Sequence, residues 1–301
     1  MDCISKNMNV HKPVLLKEVL EILDPRPGQS FIDATINGGG HAQEILEKIG
    51  RHGKLLGIDW DCGLLKKLRE SAEFKKFSNL ILACENYANL GSISAKHHFG
   101  PAAGILFDLG FSSHHLEESK RGFSFLRDGP LDMRYNPKTN DLSAEKIINT
   151  WPVEAIEDIL QNYGEERYAR RIAGAIADVR RNKGISTTEE LSKIILRAVP
   201  RRERIHPATR TFQALRIAVN GELENIKQGL GAAEKVLASG GKIAVISFHS
   251  LEDRIIKNFF KEKSREGVLK IITKKPIIAS REEEKANPRS RSAKLRAAQK
   301  L

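Results

Sequence analysis

The feature that most constrains the fold of this chain is a glycine-rich loop between a short apolar strand and a helix. Residues 31–34 form an apolar stretch typical of a buried strand, residues 38–40 are all glycine, and a helical pattern runs over 41–49. Residues 54–59 form a second apolar strand that ends at Asp59. A strand, a helix and a further strand in this order predict neighbouring parallel strands of an α/β sheet.

Later segments extend this sheet and then interrupt it. Residues 80–83 and 104–108 predict a third and a fourth strand, and residues 242–248 resume the pattern much later. Between them, residues 145–199 are rich in Ala, Ile, Glu and Arg at helical spacing. The stretch 112–207 therefore predicts a helical insertion between two strands of the sheet.

The length of 301 residues suits one large and one smaller domain. The expected parts are a discontinuous sheet domain over 1–111 and 208–280, an inserted helical domain over 112–207, and a basic, extended C-terminal tail over 281–301. The pattern over 208–237 predicts a long helix that breaks near Gly221 or Gly229.

Positive charge is concentrated towards the C-terminus. Residues 254–301 contain 15 Lys or Arg and 5 Asp or Glu, so they carry +10 of the formal net charge of +12. A basic segment of this kind indicates binding to a polyanion such as nucleic acid, and it also fits a merely solvated tail.

Because apolar runs stay well below the ~18 residues of a membrane span, and residues 1–10 lack the apolar core of a signal peptide, we expect a cytoplasmic protein with no membrane partner.

The three cysteines, Cys3, Cys62 and Cys84, show neither a Cys-x-x-Cys pair nor the spacing of a disulfide framework. We interpret them as reduced thiols, with Cys84 in a core strand, and we expect no metal site.

The loop after the first strand has the chemistry of a site for an adenosine-containing cofactor. Its glycines let the backbone approach a ligand closely, and Asp59 can accept hydrogen bonds from both ribose hydroxyls. These features fit a nicotinamide dinucleotide or S-adenosylmethionine. The glycines lack the Gly-x-Gly-x-x-Gly spacing that serves a pyrophosphate, and Asp33 suits a cationic ligand better than an anionic one. S-adenosylmethionine is therefore favoured, while an NAD-dependent oxidoreductase and a purely structural turn remain the alternatives.

A second candidate site follows the fourth strand, at Asp108, Leu109, Gly110 and Phe111. The carboxyl ends of strands in a doubly wound sheet are where ligands bind. An acidic residue, two small or aliphatic residues and an aromatic resemble the signature of amino-methylating enzymes. A carboxylate here can accept an N–H of a poorly nucleophilic amine and stabilise positive charge that develops on the nitrogen. The alternative is an aspartate that only caps the following turn.

Several longer strings make the assignment specific. They span residues 11–16, 33–41, 108–113, 121–134, 163–167, 206–220, 246–254 and 287–296. In this order they closely resemble the RsmH (MraW) family of bacterial rRNA methyltransferases, over nearly the whole chain. The resemblance implies an α/β, Rossmann-like class I S-adenosylmethionine-dependent methyltransferase with a mostly parallel sheet and an inserted helical, substrate-recognition domain.

The resemblance also implies the reaction and the partner, namely N4-methylation of a cytidine in the decoding region of 16S rRNA within the small ribosomal subunit. It leaves open whether the protein acts as a monomer or a homodimer. The alternative of another class is a non-catalytic RNA-binding ribosome assembly factor. Such a factor would keep the basic segment but would not need Asp59 and Asp108 together with the glycine loop.

The site residues follow position by position. Asp108 is expected to be catalytic. The cofactor-binding residues implied are Asn37, Gly38, Gly39, Gly40, His41, Asp59, Tyr87, Asp108 and His115. The chain departs from the family at Asn37, where glycine is usual, at Phe111, where an aliphatic is usual, and at His115, where glutamine is usual. Residues 121–134 are interpreted as a lid or RNA-contacting loop. Arg210 fits either RNA contact or helix packing, and His249 is interpreted as a satisfied histidine at a strand end.

Overall fold

The computed structural model describes residues 13–110, 121–200 and 205–301. Its strands are β1 (Ser30–Asp33), β2 (Lys54–Asp59), β3 (Leu80–Cys84), β4 (Ala102–Asp108), β5 (Leu237–Ser247), β6 (Leu269–Ile271) and β7 (Lys294–Lys300). Its α-helices are α1 (Leu16–Leu23), α2 (Gly40–Ile49), α3 (Cys62–Glu70), α4 (Ala72–Lys75), α5 (Leu90–Lys96), α6 (Ala144–Thr150), α7 (Val153–Asn162), α8 (Ala169–Arg180), α9 (Thr188–Ala198), α10 (Ala208–Asn220), α11 (Glu222–Val236), α12 (Ser250–Arg265) and α13 (Arg281–Ala286).

The strands form one sheet in the order β3-β2-β1-β4-β5-β7-β6. The first five strands of that order are parallel, and β7 pairs antiparallel with both β5 and β6. The strands predicted from apolar runs are confirmed. Because β1, β2, β3 and β4 are parallel, the residues that follow them lie at one edge of the sheet, where ligands bind in folds of this type.

The C-terminal residues differ from the prediction, since they do not form an extended tail. Residues 294–300 are the strand β7, inserted between β5 and β6. Leu295 is fully buried, and Arg296, only 7% exposed, donates from Nε and Nη2 to the Asp253 carboxylate at 2.6 and 3.1 Å. The basic composition concealed this strand, because the charge of Arg296 is neutralised within the fold and is not solvated.

The chain divides into two compact units, one of residues 1–112 and 223–301 and one of residues 113–222. The structure thus places α10 with the insertion, whereas a boundary at 207/208 was expected. The reason is packing: Phe212 and Leu215 of α10 belong to the same apolar cluster as Ile172 and Ile195 of the insertion. The predicted helix break occurs at Gly221, where φ is 61°.

Inside the insertion, the sequence segments noted above are joined by hydrogen bonds between side chains and backbone. The Gln213 side chain donates to the Tyr163 carbonyl at 3.0 Å. The Asn220 amide donates to the Met133 carbonyl at 2.8 Å and accepts from the Tyr135 N–H at 2.9 Å. The strings 121–134, 163–167 and 206–220 therefore have a structural role in building this unit.

A disulfide joins Cys62 at the start of α3 to Cys84 at the end of β3, with Cα atoms 5.2 Å apart. The prediction of reduced thiols is wrong for this pair. The register explains it, because Cys84 lies opposite Asp59 in the β2–β3 ladder and Cys62 follows Asp59 by only three residues. In the described part of the chain, each helix is too short or too polar to cross a bilayer.

Candidate active site

The loop that follows β1 is attached to the two strands on either side of it. The Ala34 N–H donates to the Leu106 carbonyl of β4, and the Ile36 N–H donates to the Ile58 carbonyl of β2, both at 2.8 Å. The glycine-rich loop therefore lies across the carboxyl ends of β1, β2 and β4.

Asn37 fastens this loop to both acidic strand ends. Its N–H donates to Asp59 Oδ2 at 3.0 Å, and its side-chain amide donates to the carbonyls of Thr35 at 3.0 Å and Asp108 at 3.3 Å. Its φ of 49° lies in the left-handed region, which asparagine tolerates better than most residues. Asparagine can therefore replace the usual glycine here and adds the two side-chain bonds.

Gly39 has no room for a side chain. Its φ is 81°, and a Cβ added there would lie 2.4 Å from Cζ of Phe74. Gly38 and Gly40 flank it, and α2 begins at Gly40 with His41 in its first turn. Glycine is therefore required at position 39 by its backbone conformation and by close packing against Phe74.

Asp59 ends β2 and is held rigidly. Its Oδ1 accepts the Asp61 N–H at 2.8 Å, and Asp61 in turn caps α3 by accepting from Gly63 and Leu64. A carboxylate has about four lone-pair sites, so Asp59 can accept ribose hydroxyls besides these backbone bonds.

Tyr87 follows β3 and is half-buried in a fixed orientation. Its ring meets the Phe107 ring edge to face, with centroids 5.6 Å apart. It also packs on Gly229 of α11, where an added Cβ would lie 2.7 Å from Tyr87 Cδ2. The sequence identified Gly229 only as a helix-break position, and the structure shows that its missing side chain makes room for Tyr87.

Asp108 ends β4 beside His41. Its N–H donates to Thr35 Oγ1 at 2.6 Å, and its Oδ2 lies 3.8 Å from His41 Nδ1. His41 Nε2 donates to the Val14 carbonyl at 2.9 Å. Burial lowers the pKa of His41 to about 4, against the opposing effects of the Val14 bond and the Glu283 charge. The ring is therefore neutral at pH 7, with its proton on Nε2 and a lone pair on Nδ1.

Asp33, the first residue of the loop, is 1% exposed. Burial raises its pKa to about 8, and the charges of Asp108 and Asp59 act in the same direction, while the N–H of Thr35 donates to it and opposes the shift. Three carboxyl groups thus lie within electrostatic reach of one another at this edge of the sheet. Asp33 is therefore mostly protonated at pH 7, and the negative charges of Asp108 and Asp59 are those that suit a cationic ligand and disfavour a pyrophosphate.

These features fit S-adenosylmethionine. The close backbone turn at Gly39, the rigid acceptor Asp59, the flat ring of Tyr87 and the acidic edge match an amino-acid cation joined to an adenosine.

His115 and Phe111 lie outside the described residues. His249 caps α12, with its Nδ1 accepting the Glu252 N–H at 3.4 Å and its Nε2 3.2 Å from Glu252 Oε1. Nδ1 is therefore satisfied, but the buried Nε2 makes no hydrogen bond within the described residues, so the interpretation of a satisfied histidine is wrong for that atom.

Comparison with known proteins gives the same assignment. The sequence pattern of the MraW methylase family matches residues 8–301. A protein of Heliobacterium modesticaldum named Ribosomal RNA small subunit methyltransferase H is 47% identical, over 97% of this chain and 98% of that protein. A protein of the same name in Trichlorobacter lovleyi is 45% identical, over 97% and 98%. Among solved structures, an rRNA methylase from Streptococcus thermophilus aligns with a TM-score of 0.42 at 11% identity, over 95% of this chain and 93% of that one.

The predicted fold class, a class I methyltransferase with a mostly parallel sheet, is confirmed, and so is the predicted methyl donor, S-adenosylmethionine. The alternative of an NAD-dependent oxidoreductase is excluded by the family match. This chain is a methyltransferase and belongs to the MraW methylase family.

Proposed function

We propose that this protein transfers a methyl group from S-adenosylmethionine to N4 of a cytidine in the decoding region of 16S rRNA, within the small ribosomal subunit. Full-length relatives at 45–47% identity carry a name that states small-subunit rRNA methylation, which supports the substrate. The observation that carries the choice of an exocyclic amine is the acceptor pair formed by Asp108 and neutral His41 at the end of β4.

The chemistry of the amine explains why an acceptor pair is needed. The N4 lone pair of cytosine is conjugated with the ring, so the amine is a poor nucleophile and its two N–H groups are good donors. Asp108 accepts one N–H and favours the pyramidal amine, whose lone pair is available for attack. The carboxylate then stabilises the positive charge that develops on nitrogen as the methyl group arrives.

The bound cofactor supplies an electrophilic methyl group on a sulfonium. The residues proposed to bind it are Asn37, Gly38, Gly39, Gly40, His41, Asp59, Tyr87, Asp108 and His115. Asp59 orients the ribose, Tyr87 flanks the adenine, and the negative charge of Asp108 attracts the cationic end. The target base must leave its stack to reach this edge of the sheet.

The RNA phosphates need a basic surface. Since Arg296 is buried against Asp253, we assign this role to exposed lysines of the C-terminal third, such as Lys257 and Lys261 on one face of α12 and Lys274 and Lys275 after β6. Replacing these four lysines with glutamine should weaken RNA binding and flatten its salt dependence, because fewer counterions are released.

The decisive experiment supplies small subunits and, separately, free 16S rRNA from a strain that lacks this activity. The protein and labelled S-adenosylmethionine are added, and the labelled nucleoside is identified and mapped. We expect N4-methylcytidine at one position of the decoding region. Label on another atom or base would refute the proposed substrate, and RNA binding without transfer would favour an assembly factor.

A further inference from the structure

A line of contacts leads from the C-terminal helix α13 into the candidate active site. Glu283 of α13 accepts the Leu15 N–H with Oε1 at 2.7 Å, across 268 residues of sequence. The carbonyl of the preceding residue, Val14, accepts from His41 Nε2 at 2.9 Å. The other nitrogen of that ring, Nδ1, lies 3.8 Å from Asp108 Oδ2.

The backbone between these contacts is held in an unfavourable conformation. Leu15 has φ 53° and ψ 34°, in the left-handed region, and it is fully buried. A leucine adopts this conformation only at a cost in free energy, because its Cβ lies too close to the carbonyl oxygen. The strained turn aims the Leu15 N–H at Glu283 and the Val14 carbonyl at His41, so it needs partners on both sides.

We propose that Glu283 is a positioning residue of the active site, which fixes His41 as the tautomer protonated on Nε2 by holding the Val14–Leu15 turn. With the proton on Nε2, the Nδ1 lone pair faces Asp108. His41 Nδ1 and the Asp108 carboxylate then offer two acceptors to one donor group of the substrate. If the turn were released, the ring would gain more by protonation on Nδ1, because that N–H could donate to the Asp108 carboxylate. Asp108 would then be less able to accept an N–H of the substrate.

The inference rests on the proposed role of Asp108, but its test reads the tautomer in the absence of substrate and cofactor. Long-range ¹H–¹⁵N correlation spectra distinguish protonated from unprotonated ring nitrogens. The chain has nine histidines, and a His41→Gln variant assigns the His41 signals by their absence. For the wild-type protein we expect a proton on Nε2 near neutral pH.

The matched variants are Glu283→Ala, Glu283→Gln and Glu282→Ala. Glu283→Ala should move His41 substantially to the Nδ1-protonated form and slow single-turnover methyl transfer at least ~10-fold with unchanged RNA affinity. Glu283→Gln keeps an acceptor oxygen and should retain the wild-type tautomer. Glu282 is exposed in the same first turn of α13, so Glu282→Ala controls for the loss of a helix-end charge and should resemble the wild type.

Two results would overturn the proposal. One is a folded Glu283→Ala variant whose His41 stays protonated on Nε2 only. The other is a wild-type protein whose His41 carries its proton on Nδ1, and this result decides the question even if Glu283→Ala does not fold. Glu283→Ala could show the expected tautomer shift while the wild-type protein fails to methylate cytidine. That combination would refute the proposed function and leave the positioning role of Glu283 intact.

Discussion

His41 Nδ1 and Asp108 Oδ2 face each other at 3.8 Å, and both atoms are hydrogen-bond acceptors, because the proton of the neutral ring is on Nε2. Two acceptors at this distance repel weakly unless a donor lies near both. An amine with two N–H groups meets that requirement. In the reaction proposed above, the two N–H groups of the target amine are the donors.

Asp108→Asn tests whether methyl transfer depends on the negative charge of Asp108 and not only on the shape of its side chain. The amide keeps one acceptor oxygen, so binding of RNA should change little. The positive charge on nitrogen exists mainly in the transition state, so we expect the single-turnover rate at saturating cofactor and RNA to fall ~10²-fold or more. A near-normal rate would mean that Asp108 only shapes the cofactor pocket.

Asp33 makes stability depend on pH in the direction opposite to most carboxylates. Its pKa is about 8 in the folded protein, against an ordinary value of 3.8. The folded state therefore holds a proton that the unfolded state loses, and the contribution of Asp33 to the unfolding free energy declines as pH rises from about 4 to about 8. Asp33→Asn should remove this decline, which urea denaturation of the cofactor-free protein at several pH values measures. The same slope in both proteins would contradict the assignment.

Gly229→Ala should weaken cofactor binding by moving Tyr87. An added Cβ would lie 2.7 Å from Tyr87 Cδ2, so the ring must shift. We expect at least a ~5-fold loss of S-adenosylmethionine affinity by calorimetry, about 1 kcal/mol. Gly231→Ala on the same helix meets nothing within 4 Å, and it should leave affinity unchanged while stabilising the helix by up to ~1 kcal/mol. Equal affinities for both variants would show that Tyr87 does not contact the cofactor.

The Cys62–Cys84 bond should make stability sensitive to reductant. It closes a loop of 22 residues, for which chain entropy gives about 3 kcal/mol. Denaturation midpoints in oxidising and reducing buffer should therefore differ for the wild type and coincide for Cys84→Ser. A wild-type denaturation midpoint that is the same with and without reductant would argue against the Cys62–Cys84 bond in solution.

Arg296→Ala should destabilise the protein by about 3 kcal/mol, because it leaves the Asp253 carboxylate without its bidentate partner. Arg291 is exposed in the same C-terminal segment, and Arg291→Ala should not change the denaturation midpoint measurably. If both variants were equally stable and lost RNA affinity alike, the segment would be a phosphate-binding tail after all.

The sequence predicted strands β1 to β4 and the glycine loop, because each of these depends mainly on residues that are close together in the chain. Strands β1, β2, β3 and β4 are apolar runs, and β1, β2 and β4 each end in an aspartate, so their positions and the acidic edge could be deduced together. The glycine loop was predicted for the same reason, since its conformation depends on its own residues.

The rest depends on contacts between residues that are distant in sequence. Nothing near Glu283 indicates that it accepts a hydrogen bond from Leu15, and nothing near Gly229 indicates that Tyr87 packs on it. Strand β7 was missed because Arg296 looked solvated, whereas the carboxylate that neutralises it belongs to Asp253, which is distant in sequence. The helix α10 was assigned to the wrong unit because its packing partners lie in another part of the chain.

The place of β7 has a consequence for biosynthesis. Residues 294–300 separate β5 from β6, so the sheet cannot be completed until these residues have emerged from the translating ribosome. The insertion unit, a continuous stretch of residues 113–222, can fold earlier, since domains form as their residues emerge. A polypeptide truncated before residue 294 would therefore lack β7, and one truncated before residue 283 would also lack the carboxylate that holds Leu15.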